Sequence, residues 1–188
     1  MKKITLTTIF ALFLVGSVVA QNKGGFGLKA GFNTAMEFTE KGNTDTRFGF
    51  HGGIFVEIPV ANRVDIQPEL MYSMQGCTDP KGTEKFDYIN LPVIVKIYLN
   101  RGRSFSIDVG PQAGYAISAK RVNKSGSTTN VYDDSRFNKF DAAICLGASY
   151  KITENFHAGL RFNISVTKIM SHMEHRNGVG QLGISYKF

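Results

Sequence analysis

Residues 156–167 read Phe156-His157-Ala158-Gly159-Leu160-Arg161-Phe162-Asn163-Ile164-Ser165-Val166-Thr167. One parity is Phe, Ala, Leu, Phe, Ile, Val, and the other is His, Gly, Arg, Asn, Ser, Thr. A period of two sends successive side chains to opposite faces of a strand, so this stretch predicts a strand between an apolar and a polar environment. The segment before it repeats the pattern, with Phe140, Ala142, Ile144, Leu146, Ala148 and Tyr150 against Asp141, Ala143, Cys145, Gly147, Ser149 and Lys151. The last segment sets Leu182, Ile184, Tyr186 and Phe188 against Gln181, Gly183, Ser185 and Lys187.

Extended toward the N-terminus, the same reading predicts eight strands, over 24–34, 47–60, 62–75, 86–100, 103–119, 136–151, 155–168 and 177–188. Their connections alternate in length. Residues 59–63, 100–103 and 152–155 are tight turns, whereas 35–46, 76–85, 120–135 and 169–176 are longer and polar. Short turns at one end and long loops at the other are the pattern of an outer-membrane barrel. The predicted fold is all-β: an eight-stranded antiparallel up-and-down transmembrane β-barrel with short periplasmic turns and longer extracellular loops. The polar stretch Lys120–Ser135 is expected to be an exposed, mobile extracellular loop.

Alternation alone does not say which parity faces inward, and a soluble lipocalin-like ligand-binding calyx has about eight strands with an apolar interior. Volume decides. Roughly three dozen large apolar side chains share one parity, more than an eight-stranded interior can hold. The other parity suits a narrow lumen, because Gly25, Gly27, Gly31, Gly49, Gly53, Gly110, Gly114, Gly147, Gly159 and Gly183 stand among its charged residues. The predicted lumen set is Lys29, Glu57, Arg63, Asp65, Glu69, Lys96, Asp108, Asp141, Lys151, Arg161 and Lys187, with His51 and His157. Phe55, Met71, Ile94 and Tyr98 add bulk.

Six cations facing five anions predict a plugged, ion-paired core, since buried charges are tolerable only when paired. The expected partners are Asp65 with Lys96 and Lys96 with Asp108, with Arg161 meeting acids from the far wall. Phe48, Phe50, Phe105, Phe140, Tyr150, Phe156, Tyr186 and Phe188 fall near strand ends on the outward parity, where interfacial girdles form.

The first residues have another purpose. Lys2 and Lys3, the apolar run Ile4–Val15 and Gly16-Ser17-Val18-Val19-Ala20 predict a signal peptide over 1–20, cleaved before Gln21, with the barrel domain over 21–188. Net charge is +7, and +5 without Lys2 and Lys3. The basic residues are scattered, which argues against nucleic acid as a partner. Cys77 falls in a polar loop and Cys145 inside a strand, so both are expected as free thiols.

Gly27-Leu28-Lys29-Ala30-Gly31-Phe32-Asn33, Tyr88-Ile89-Asn90-Leu91-Pro92-Val93-Ile94-Val95-Lys96, Val109-Gly110-Pro111-Gln112-Ala113-Gly114-Tyr115 and Leu160-Arg161-Phe162-Asn163-Ile164 together resemble the small outer-membrane β-barrel proteins of Bacteroidetes, the PorT-like group. The resemblance implies the barrel fold and a cell outer membrane location, with membrane lipid as its surroundings, but no general activity. Leu182-x-Ile184-x-Tyr186-x-Phe188 looks like the terminal signal by which the barrel-assembly machinery recognises such proteins.

Little in the chain suggests chemistry. His172-Met173-Glu174-His175 contains metal-ligand types, but no third strong ligand follows and the spacing is not that of a helical zinc site. Asp133 and Asp134 are adjacent acids in a polar loop, read as solvated. A lipid-modifying outer-membrane enzyme would need a base and nucleophile within hydrogen-bond reach, and the outward parity is nearly bare of His, Ser and Asp. The expectation is a non-enzymatic barrel with no catalytic, metal or cofactor residues. It would act as a surface or adhesion element, or as an envelope-assembly or secretion-accessory protein.

Overall fold

The computed structural model describes residues 24–39, 42–43, 45–79, 82–124, 126–132, 137–167 and 176–188. The expected signal peptide, Asp133, Asp134 and the His172–His175 string lie outside the described residues. Among the described residues are β1 (Gly25–Thr39), β2 (Gly42–Asn43), β3 (Asp45–Ala61), β4 (Val64–Asp79), β5 (Gly82–Tyr98), β6 (Phe105–Asn123), β7 (Thr128–Asn130), β8 (Phe140–Lys151), β9 (Phe156–Ser165) and β10 (Arg176–Lys187).

Eight of these close a ring in the order β1-β3-β4-β5-β6-β8-β9-β10, and β10 pairs back onto β1 from Gly27↔Lys187 to Phe38↔Arg176. All the pairings are antiparallel. Closure leaves no edge strand, so the wall's backbone donors and acceptors are met within it. β2 and β7 extend the far ends of β1 and β6.

The alternation in sequence becomes an alternation in burial. Along β5, Glu84, Phe86, Tyr88, Asn90, Pro92, Ile94, Lys96 and Tyr98 point inward and are buried, while the residues between them face out. The outward parity carries Phe32, 74 % exposed, and Phe48, 77 % exposed. The inside is polar and the outside apolar, which is the reverse of a ligand-binding calyx.

Aromatic belts mark both ends of the wall. Around the short turns, Phe188 stacks on Phe26 with centroids 4.7 Å apart, and Tyr186 meets Phe188 and Phe156 edge-on at 5.0 and 4.9 Å. Toward the other end stand Phe50, Tyr72, Tyr115 and Phe140, with Phe50 and Tyr72 in contact.

Two of the predicted loops are mostly strand. β4 runs to Asp79 and β5 begins at Gly82, so 76–79 pair with 82–85 as a ladder, and the described residues of 35–46 belong to β1, β2 and β3. Beyond the lipid the outer face of a strand meets water while the inner face stays buried, so polar residues stand on both faces and the alternation in sequence fades while backbone pairing persists. Lys120–Ser135 also changes character. β6 continues to Asn123, turns through Gly126 N–H donating to Asn123 O (2.9 Å), and returns as β7.

Beyond β7, Val131 N–H donates to Ala119 O (3.0 Å), and Phe137 is buried against Phe86 with centroids 5.5 Å apart. Phe86, Tyr88, Ala116, Ala119 and Phe137 form an apolar cluster inside the long-loop mouth. The ladder of β5 and β6 has a bulge at Asp87/Tyr88, where β6 carries an extra residue. A bulge of one residue reverses facing, so Ala116 and Ala119 are both buried and Arg121 turns inward.

Candidate functional site: the ion-paired lumen

Glycines make room for the lumen's long side chains. Gly31 on β1 stands beside Gly183 on β10 and His51 on β3. A Cβ on Gly31 would run into the Leu182 carbonyl and stand 2.8 Å from the His51 ring carbon. The imidazole occupies the space that a side chain would take. Its Nδ1–H donates to Asn33 Oδ1 (2.8 Å), which can only accept because Asn33 Nδ2 donates to Ser73 Oγ and the Met74 carbonyl. Gln181 Nε2 donates to the same oxygen (3.1 Å).

Below this lies the central charge cluster. Arg161 Nη1 and Nη2 on β9 donate to Glu69 Oε2 and Oε1 on β4 at 2.7 and 2.8 Å. β4 and β9 are four strands apart in either direction round the ring, so this bidentate pair crosses the full diameter. Lys29 Nζ lies 3.6 Å from Glu69 Oε1, and Gln67 Nε2 donates to that oxygen at 2.6 Å. The cavity between Lys29, His51, Asp108 and Arg161 measures about 10 Å³, room for about one water.

Nearer the short turns, Glu57 accepts from Lys96 Nζ (2.9 Å) and Lys187 Nζ (2.7 Å). The strand register sets Lys96 opposite both Asp65 and Asp108, as the sequence predicts. Its ammonium nevertheless goes to Glu57, one strand further round. Neighbours directly opposite sit only about 5 Å apart at Cβ, so a lysine and a short aspartate both reach past each other. Asp65 is paired instead with Arg103 and accepts from Tyr98 Oη (3.2 Å). Asp108 accepts from Ser106 Oγ (2.7 Å) and from Ser149.

Arg103 was not among the predicted lumen residues. It sits in the β5–β6 turn with φ of 51°, and this left-handed backbone returns its guanidinium to the mouth, 4.2 Å from the Tyr98 ring centroid. Arg63, by contrast, is exposed in the β3–β4 turn and has to be removed from the lumen set. At this mouth Glu57, Tyr98, Arg103, Lys151, His157 and Lys187 line a vestibule of about 170 Å³. Lys151 Nζ donates to Glu154 in the β8–β9 turn (2.9 Å) and holds that exposed carboxyl below its usual range.

Toward the long-loop end, Asp141 accepts from Ser165 Oγ (2.9 Å) and Thr167 Oγ1 (2.6 Å). Arg121 pairs with Glu84 just beyond the apolar cluster, two residues farther out along β5 and β6. Arg121 escaped sequence reading because the bulge inverts parity on β6, and Glu84 because 76–85 reads as a loop. Cys77 and Cys145 are both buried and are not joined to each other in a disulfide. Among the described residues no group of three or more His, Cys, Asp or Glu is placed to hold a metal.

A polar, ion-paired interior within an apolar, aromatic-belted wall is the arrangement of a protein that crosses lipid by strands. The outer membrane protein beta-barrel domain model matches residues 19–171. The chain belongs to this family of outer-membrane barrels. Its fold is similar to that of Ail, the attachment invasion locus protein of Yersinia pestis, solved in complex with the heparin analogue sucrose octasulfate. Identity to Ail is 16 %, covering 88 % of this chain and 99 % of Ail, with a TM-score of 0.54. It is also similar to Neisserial surface protein A, at 18 % identity over 87 % of this chain and 97 % of that one, with a TM-score of 0.58. No curated protein matches the chain.

Proposed function

We propose that this outer-membrane barrel is a non-enzymatic surface element whose lumen is plugged and whose long-loop end is the working part. The Arg161–Glu69 pair carries the reading: a bidentate ion pair spans the diameter, and the cavity beside it has room for about one water. The apolar cluster around Phe86 and Phe137 adds a second obstruction at the outer mouth. The names of the two similar structures, an attachment invasion protein and a surface protein, agree with an outward-facing role. An apolar outer wall nearly bare of His, Ser and Asp supports the absence of lipid-modifying chemistry.

In this reading the chain is a PorT-like barrel of Bacteroidetes, exported by the segment 1–20 and delivered to the barrel-assembly machinery through β10. The PorT-like resemblance also brings an accessory role in envelope assembly or secretion as the second reading. Planar-bilayer recording of the folded barrel tests the plug: no steady single-channel current is expected, and a large, stable conductance overturns it. Surface binding by whole cells, set against pull-down from native envelopes, separates the two roles. Attachment lost on deletion of residues 124–127 supports the surface role, and stoichiometric envelope partners with unchanged attachment support the accessory one.

A further inference from the structure

Among the described residues the outward face of the wall carries no charge over its apolar height, and above it charged residues stand on β3, β5 and β6. On β5 the outward positions run Ile97, Val95, Val93, Leu91 and Ile89, then Asp87 and Lys85. Lys85 is directly opposite Lys120 of β6, and both are exposed. Like charges directly opposite on paired strands are destabilising. Among the described residues neither lysine has an ion pair. Glu84, the nearest acid in sequence, is turned to Arg121. Asp87 is engaged by Arg47 and hydrogen-bonded with Tyr72.

Arg47 enlarges the patch. It donates to the Gln75 carbonyl, and Nη1 lies 3.2 Å from where a Cβ on Gly76 would stand. Gly76 is the β4 partner of Lys85, so three cations lie along one rung of β3, β4, β5 and β6. On the other side of Lys120 stands Asn130 of β7.

The height of this rung identifies what meets it. Lys85 is four residues beyond Ile89, about 13 Å along the strand and about 10 Å in height at the usual barrel tilt. The polar layer on each side of the hydrocarbon is about 5–8 Å deep, and lysine stems reach down to it. We propose that Lys85 and Lys120, with Arg47 beside them, clamp a phosphate group on the headgroup of an outer-leaflet glycolipid. The lipid's chains would lie against the adjoining apolar wall, and its phosphate would relieve the repulsion between the two lysines.

The test uses the folded full-length barrel in detergent and native mass spectrometry. Its probes are a bis-phosphorylated glycolipid (lipid A), the same lipid dephosphorylated, and inorganic pyrophosphate. Lys85→Gln/Lys120→Gln is expected to lower retention of the phosphorylated lipid about 25-fold, two lysines at about fivefold each. Arg101→Gln/Lys124→Gln removes the same charge elsewhere and is expected to leave retention unchanged. Lys120→Glu gives Lys85 an acid opposite it, and is expected to abolish retention while raising the unfolding temperature. Equal loss in the charge-matched control overturns the proposal, as does equal retention of the dephosphorylated lipid. Pyrophosphate binding as tightly as the lipid also overturns it, in favour of a site for soluble anions.

Discussion

Arg161 and Glu69 stand on diametrically opposite strands, 92 residues apart in sequence, and join the two walls through paired hydrogen bonds of 2.7 and 2.8 Å. Both side chains are buried, so removing one partner strands the other. Loss of one partner of a buried pair costs about 3–5 kcal/mol.

The two ends of this pair are not equivalent. Arg161→Met leaves Glu69 with Lys29 at 3.6 Å, whereas Glu69→Gln strands both Arg161 and Lys29. Glu69→Gln is therefore expected to lower the thermal unfolding midpoint in detergent further than Arg161→Met. Equal or reversed midpoints would show that Lys29 does not compensate.

Lys96→Met removes one of the two cations on Glu57 within the lumen, while Lys124→Met changes an exposed turn residue. The first is expected to destabilise the barrel by about 1–3 kcal/mol, below a full stranding because Lys187 remains. The second is expected to fall within about 0.5 kcal/mol of wild type. Urea titration of both variants in the same lipid decides the matter, and coincident curves would remove Lys96 from the stabilising network.

Lys120–Ser135 reads as one polar loop in sequence, but its parts differ in what they touch. An epitope placed between Gly126 and Ser127 enters an exposed turn and is expected to preserve folding and label whole cells. The same epitope between Val131 and Tyr132 pulls apart residues packed on the Phe86–Phe137 cluster and is expected to lower the folded yield. Labelling only after lysis would reverse the assigned orientation.

Phe188 is 57 % exposed, stacks on Phe26 and donates its backbone N–H to Phe26 O (3.0 Å). Phe188→Asp places a charge on the lipid-facing seam between β10 and β1 and is expected to deplete heat-modifiable folded barrel from envelopes. Phe26→Asp supplies the comparison. If both variants fold equally poorly from urea into detergent, the defect lies in seam packing. If Phe188→Asp folds in detergent yet fails only in cells, recognition of β10 is what has been lost.

The ring, its strand order and most of the lumen's occupants were legible because period two is a local property. Glu57, Glu69, Asp108 and Arg161 each declare their facing through their neighbours. Partner choice was not legible. The correct register still pointed Lys96 at Asp65 and Asp108, because opposition across a ladder does not say how far a side chain reaches. Arg121 and Ala119 were hidden by the bulge, which leaves no mark in the sequence. Arg103 was hidden by a backbone turn that reverses its direction. Phe137 follows a polar stretch with no periodicity, so nothing local assigned it to the mouth.

The alternation along the wall also determines what the chain is before the wall exists. Mean hydropathy is −0.10, and in the β5 segment Lys85 and Asp87, two residues apart, would fall on opposite sides of a helix although they share one face of the strand. No continuous apolar surface is available to an unpaired chain. The surface compatible with hydrocarbon comes into being only as pairing sorts the residues onto two sides. Water solubility and membrane affinity are thus properties of two states of one sequence, and closure of β10 onto β1 is the event that exchanges them.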